Sequence, residues 1–335
     1  MPGRLSALEG ALLGTALGDA LGLAMEGLSR ETIFRRYGRV ERFHLLGATG
    51  FVSDDTELAA LTAHALAGRP DDPAACAAAF RRSLAGWALR LPWGIGLATL
   101  RASGKAIVGL SDTGVASAGN GACTRAPVIG VFFAADASKR RAFGEALARV
   151  THTDARGVEA ALYAAEVAAG LANGLTAEEA VRDALIVVHR PELLASIEDA
   201  RDMATEEAEL EAAVELLGTT GYSVHTCAIA TFCLLRWGAA PLAAIQRTIA
   251  AGGDTDSAAA LVGAWVGAAR GVPGLPGELI ERLCGGPFGP GHLRALAAAL
   301  ADGTPSPAFS CAGALLRNLA LYPVVLAHGF RRLLP

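Results

Sequence analysis

An all-α fold follows from three observations on this 335-residue chain. Apolar residues recur at helical spacing along almost the whole length, and no stretch alternates as a half-buried strand does. Ala and Leu dominate a hydrophobic fraction of 52%, while aromatics make up only 6%. Small-residue helices of this kind pack closely. The expected architecture is therefore a single compact orthogonal multi-helix bundle spanning residues 1–335. No Ser/Gly-rich linker, charge run or fixed-period repeat divides the chain, and Gly303-Thr304-Pro305-Ser306-Pro307 lies too near the end to open a second domain.

The elements follow in order. Residues 5–23 read as a helix with Gly14, Gly18 and Gly22 at i, i+4 and i+8, a stripe that permits tight helix packing. Arg4 before this apolar run resembles a secretory signal, but Asp19 and Glu26 interrupt it and a retained helix is expected. The helix over 56–68 starts beside Ser53 and Asp54, either of which can cap it, and stops at Arg69-Pro70. Asp71-Asp72-Pro73 opens 73–89, which ends at Leu91-Pro92, and helices over 94–101, 125–134, 138–151 and 155–172 follow. Thr176-Ala177-Glu178-Glu179 is close to a capping box and opens 176–187. Then come 191–202, 206–217, 223–236 and 240–250. Gly252-Gly253 breaks the chain before 257–270, whose run from Ala258 to Gly267 suits deep burial, and Gly271-Val272-Pro273 closes it. Helices over 276–284, 288–301 and 308–319 complete the series.

A net charge of −4, with no basic tract, gives no reason to expect a nucleic-acid partner. The six cysteines are scattered and form no CxxC pair, which reads as free thiols in a reducing compartment and points to the cytoplasm. No uncharged apolar run reaches the roughly 18 residues of a spanning helix, so no membrane association is expected.

Two short acidic clusters stand about two hundred residues apart, Ser53-Asp54-Asp55-Thr56-Glu57 and Gly252-Gly253-Asp254-Thr255-Asp256-Ser257. Neighbouring carboxylates repel, and apolar runs beside them add a desolvation cost, so such clusters persist most easily when cations neutralise them. Asp54, Asp55, Asp254 and Asp256, flanked by the hydroxyls of Ser53 and Ser257, make an all-oxygen donor set suited to Mg²⁺ or Mn²⁺. Their four charges balance two divalent ions, and a binuclear metal cleft is expected. Asp254 and Asp256 are i and i+2, about 200° apart on a helix, so they converge only from a loop or a helix start. Helix capping alone is the competing reading for each cluster.

Two further stretches carry chemistry. Ser117-Ala118-Gly119-Asn120-Gly121-Ala122, followed by Arg125 and Pro127, either exposes consecutive amides that cradle phosphate or forms an ordinary Asn-Gly turn. Gly18-Asp19-Ala20-Leu21-Gly22 followed by Glu26 holds two acids that helix packing does not explain.

In this order the elements resemble the ADP-ribosylglycohydrolase family, which includes dinitrogenase-reductase-activating glycohydrolases and ADP-ribosylarginine and ADP-ribosylserine hydrolases. The matching residues are Gly18-Asp19-Ala20-Leu21-Gly22 with Glu26, Ser53-Asp54-Asp55-Thr56, Gly119-Asn120-Gly121 with Arg125 and Pro127, Thr151-His152, and Gly253-Asp254-Thr255-Asp256-Ser257. They span roughly residues 8–271. The resemblance implies that Ser53, Asp54, Asp55, Asp254, Asp256 and Ser257 ligate two Mg²⁺ or Mn²⁺ ions. It places Glu26 near them as a gating or water-orienting carboxylate, and Ser117, Gly119, Asn120 and Gly121 on the diphosphate of ADP-ribose. It implies that His152 lines the distal-ribose pocket, and Tyr222 either stacks on the ligand or packs. Asp55 and Glu26 are the candidate acid and base for hydrolysis of the C1″ bond.

The implied substrate is an ADP-ribosylated protein, arginine- or serine-linked, or a small ADP-ribosyl conjugate. A hydrolase of another nucleotide or phosphoribosyl compound, and a non-catalytic ADP-ribose-binding protein, are the alternatives. The chain departs from the family pattern in places. Ser53 and Ser257 stand where Thr is common, Ala118 where an aromatic is frequent, and Thr124 where Met is common. Ser117 replaces an acid found in some arginine-directed members, which leaves the linkage open. Residues 272–335 carry no recognised motif, and Trp87 and Trp93 either shape a cleft rim or belong to the core.

Overall fold

The computed structural model describes residues 2–332, and among these there are α-helices, short 3₁₀ turns and four isolated β-bridges but no strand. The helices are α1 Arg4–Gly22, α2 Arg30–Tyr37, α3 Asp54–Gly68, α4 Pro73–Ala88, α5 Leu97–Ile107 and α6 Pro127–Phe132. Then come α7 Ala137–Arg149, α8 Ala155–Ala172, α9 Ala177–Ala184, α10 Pro191–Thr205, α11 Leu210–Leu217 and α12 Ser223–Trp237. The last five are α13 Pro241–Ala250, α14 Thr255–Arg270, α15 Gly277–Glu281, α16 Pro290–Asp302 and α17 Cys311–Arg332. The capping signals act as expected. Ser53 accepts from the Asp55 amide, Asp72 from Ala74 and Ala75, and Thr176 with Glu179 forms a complete capping box.

Three elements depart from the periodicity. Helix α2 is absent from the sequence reading because Ile33 is its one buried residue, leaving no apolar stripe to see. The helix expected at 94–101 begins at Leu97, because Gly94 takes a positive φ of 82° and Gly96 is extended. Helix α17 runs past the expected end at 319 and through Pro323 to Arg332. Proline forfeits one helical hydrogen bond, but bonds on both sides of it hold this helix down. Asn318 Nδ2 donates to Arg90 O at 2.9 Å, Tyr322 Oη to Pro92 O at 3.3 Å, and His328 Nε2 to Leu45 O at 2.8 Å.

Helix α14 is the centre of the bundle. Every residue from Thr255 to Ala268 is buried, and the helix packs on α1, α8, α12 and α13. The glycines of α1 bring it against α14 at backbone distance. A Cβ on Gly10, Gly14 or Gly18 would collide with the carbonyls of Gly267, Gly263 and Ala259, and one on Gly22 would come within 2.7 Å of Asp256 Cα. This contact carries the end of α1 directly to the second acidic cluster.

Two helices, Arg4–Met25 and Cys311–Phe330, are long and apolar enough to cross a membrane, contrary to the expectation of none. The expectation counted only uncharged runs, whereas the second stretch includes Arg317. The first is 94% buried and is a core helix, while only 17% of the second is buried. Helix α17 is nevertheless tied to α3, since Arg317 pairs with the buried Glu57, which also accepts from Trp87 Nε1 at 2.6 Å. All six cysteines are free, and Cys76, Cys123, Cys227 and Cys233 are buried.

Candidate metal centre and active-site cleft

The N-terminal ends of α3 and α14 face one cleft of about 320 Å³. Glu26, Asp54, Asp55, Asp254, Asp256 and Ser257 line it together with Ser117, Gly119, Asn120, Gly121 and His152. Helix N-termini favour negative charge, which helps α3 and α14 tolerate acids in their first turns. Asp254 caps α14 and Asp256 lies in that first turn, the arrangement that lets residues two apart converge. Gly252 and Gly253 supply the approach with φ of 79° and 76°, and a side chain on Gly253 would strike Thr219.

A buried acid outside the predicted set holds the first cluster. Asp19, in the last turn of α1, is fully buried and accepts from the Ser53 amide at 2.9 Å, the Thr56 amide at 3.2 Å and the Thr56 hydroxyl at 2.5 Å. The second cluster is held in parallel fashion, with Thr255 Oγ1 donating to Gly22 O at 2.9 Å. The threonine of each cluster is thus a clasp to α1, which leaves the carboxylates to face the cleft. Asn120 does the same for Asp254, donating from Nδ2 to Asp254 Oδ2 at 2.7 Å. Ser257 Oγ donates to Asp55 Oδ2 at 2.9 Å and so links the two clusters across the cleft.

Two predicted residues lie outside the cleft lining. The Ser53 hydroxyl faces the Asp55 amide as helix cap. The Tyr222 phenol accepts from Arg156 at 3.0 Å, and its ring meets His225 edge-on. The reading of 119–121 as a row of available amides also needs correction. Gly119 N donates to Ser117 Oγ at 3.2 Å and Asn120 N to Gly221 O at 3.0 Å. The turn that follows, Asn120–Ala122, is a three-residue 3₁₀ segment without the dipole of a longer helix.

His152 is set by a relay. The buried Arg125 donates to Thr151 Oγ1 at 2.8 Å. The Thr151 proton then has His152 Nδ1 at 2.8 Å and Ala148 O at 3.5 Å. The shorter of the two contacts favours Nδ1 as acceptor, which assigns the ring proton to Nε2, the edge nearest Gly119. Burial, reinforced by Arg125, pushes the His152 pKa down to about 3, so the imidazole is a neutral donor at ordinary pH.

The carboxylates form one coupled field. Burial, then Asp55, Asp19, Glu26 and Asp254, drives Asp54 well above the usual carboxylate range. Burial with Glu26, Asp254, Asp55 and Asp19 does the same to Asp256. Asp55 is pushed up to about 8 by burial and by Asp19 and Asp254, against hydrogen bonding from Thr124 and Ser257. Burial raises Asp19 to about 6 despite its hydrogen bonds. Among the described residues, no three His, Cys, Asp or Glu side chains meet in a ready coordination shell. The donors nevertheless fit hard divalent cations, being all oxygen, mutually repelling and turned to one cavity.

These shifts fix a pH dependence. A carboxyl whose pKa is raised on folding stabilises the fold below its unfolded value, near 3.8, and that contribution is lost as pH rises through the folded value. The metal-free protein is therefore expected to lose roughly 5 °C or more of melting temperature between pH 5.5 and 8. Mg²⁺ or Mn²⁺ should reduce or reverse that loss. Thermal scans in EDTA across this range check it, and a melting temperature rising steadily to pH 8 would sink it.

Three comparisons bear on this geometry. A family profile described as ADP-ribosylglycohydrolase matches residues 1–308. An uncharacterized protein of Archaeoglobus fulgidus is 29% identical over 265 residues, 77% of this chain and 85% of the relative. A solved structure titled "ADP-ribosylglycohydrolase-related protein complex" superposes with a TM-score of 0.69 at 25% identity, covering 90% of this chain and 99% of that one.

Proposed function

The chain belongs to the ADP-ribosylglycohydrolase family, and from that premise we propose that it hydrolyses the C1″ glycosidic bond of an arginine- or serine-linked ADP-ribosyl group, or of a related small conjugate, and releases ADP-ribose. The observation that carries this reading is that Glu26 and both acidic clusters share one cleft with Ser117, Asn120 and His152.

Asp54, Asp55, Asp254, Asp256 and Ser257 would hold Mg²⁺ or Mn²⁺, which when bound supplies a Lewis acid for ribose hydroxyls and lowers the pKa of a bound water. The protein's own groups do the rest. His152 offers its Nε2 proton to a ribose or phosphate oxygen. Because its ring does not titrate near neutrality, that contact is independent of pH. Ser257 and Asn120 keep Asp55 and Asp254 in place while substrate enters. In this reading Asp55 and Glu26 are the carboxylates that take a proton from water and return one to the leaving atom.

The test is release of free ADP-ribose from arginine-modified protein, serine-modified protein and a small ADP-ribosyl conjugate, at least one of which is expected to be cleaved. Release is expected with Mg²⁺ or Mn²⁺ and none in EDTA. EDTA should also lower the melting temperature, since a cation at a hundredfold excess over its dissociation constant contributes about 2.7 kcal/mol to the folded state. Binding of ADP-ribose without release under either cation would replace the hydrolase with a binding module.

A further inference from the structure

Beside the carboxylate cleft lies a second cavity of about 310 Å³. Leu23, Leu45 and Trp93 form one wall, and Val325, Leu326 and Phe330 of α17 form the other. The two cavities share Glu26 and Gly94 in their linings, so they adjoin at the carboxylate proposed above for proton transfer. Among the described residues, Glu26 is the one carboxylate in this lining. His328 is there too, but its Nε2 is spent on the Leu45 carbonyl. Away from Glu26, the apolar walls leave the five N–H donors of a guanidinium without side-chain acceptors and suit an uncharged ring. Leu326 and Phe330 are 56% and 69% exposed, large apolar side chains held at the mouth by a helix anchored on both sides. The family match ends at residue 308, before α17 begins, so this wall is additional to the shared part.

We propose that this cavity receives the leaving group of the hydrolysis and that, among the linkages named above, it favours the small conjugate with a flat, uncharged, ring-sized group, α17 being a selecting wall. The inference rests on the hydrolase reading. In the step, the bond from C1″ to the leaving atom breaks as a water oxygen bonds to C1″. One water proton passes to the leaving atom and the other stays on the new hydroxyl, so no further reactant is needed.

The test compares ADP-ribose with thio-linked phenyl ADP-ribose, which resists hydrolysis, by calorimetry in Mg²⁺. The wild type is expected to bind the phenyl compound about tenfold more tightly, the effect of burying one ring. Leu326→Gln, and Gly329→Leu to fill the cavity, should each abolish that gain and leave ADP-ribose affinity within about twofold. Both residues are exposed where they line the open cavity, and an added Cβ on Gly329 meets no atom within 4 Å, so melting temperatures should hold. Equal binding of the two ligands by the wild type, or a gain that survives both variants, would overturn the proposal. Turnover of 4-nitrophenyl ADP-ribose separates the two ideas. A binding preference without release sinks the hydrolase reading and leaves the cavity's preference standing, whereas release without a preference does the reverse.

Discussion

Asp54→Ala is expected to lower turnover by roughly a thousandfold or more while leaving the fold intact. Asp54 opens α3 and lines the cleft, so its loss removes a donor from the proposed cation site. The helix start survives, because Ser53 rather than Asp54 caps it. The charge itself is a liability in the metal-free protein, where burial and four neighbouring acids oppose it. Its removal should leave metal-free stability unchanged or raise it by about 1 kcal/mol. Turnover in Mg²⁺ and melting in EDTA read the two effects separately. A metal-free variant melting far below the metal-free wild type would show that Asp54 serves the fold instead.

Gly14→Val is expected to cost about 4 kcal/mol or to prevent folding outright. The added Cβ would overlap the Gly263 carbonyl, which is backbone of the central helix and has nowhere to go. Gly263 meets the Gly14 carbonyl in the same way, so neither helix can yield without parting the pair. Gly86→Ala is the control. It lies in α4 with open space around it, and should be neutral or slightly stabilising. Urea denaturation of both variants measures the difference, and a Gly14→Val protein within 1 kcal/mol of wild type, taken as an order of magnitude, would refute the close contact.

Much of this was legible in the chain because its signals are local. Helical period, caps and Gly/Pro breaks gave most helices to within a few residues, and the i, i+2 spacing of Asp254 and Asp256 required the helix start they occupy. What escaped depends on distant partners. A carboxylate in the last turn of a helix does not announce that it will bind the Ser53 and Thr56 amides, as Asp19 does. Nor does the Asn of an Asn-Gly turn reveal that it will hold Asp254. The amides of Gly119 and Asn120 looked available for phosphate because their acceptors, Ser117 Oγ and Gly221 O, are fixed only on folding. Helix α2 lacks an apolar stripe, and α17 continues through a proline that tertiary anchors overrule.

Glu57 ends the first acidic run in sequence but points away from its task. It is buried on α3 between Trp87 and Arg317. Were the polypeptide to stop at residue 308, where kinship with the family match ends, every side chain lining the carboxylate cleft would remain. Yet Glu57, on the cleft's own supporting helix, would lose both the cation it pairs with and the helix that supplies it. A helix beyond the matched residues thus supplies the counter-ion of the helix that carries Asp54 and Asp55.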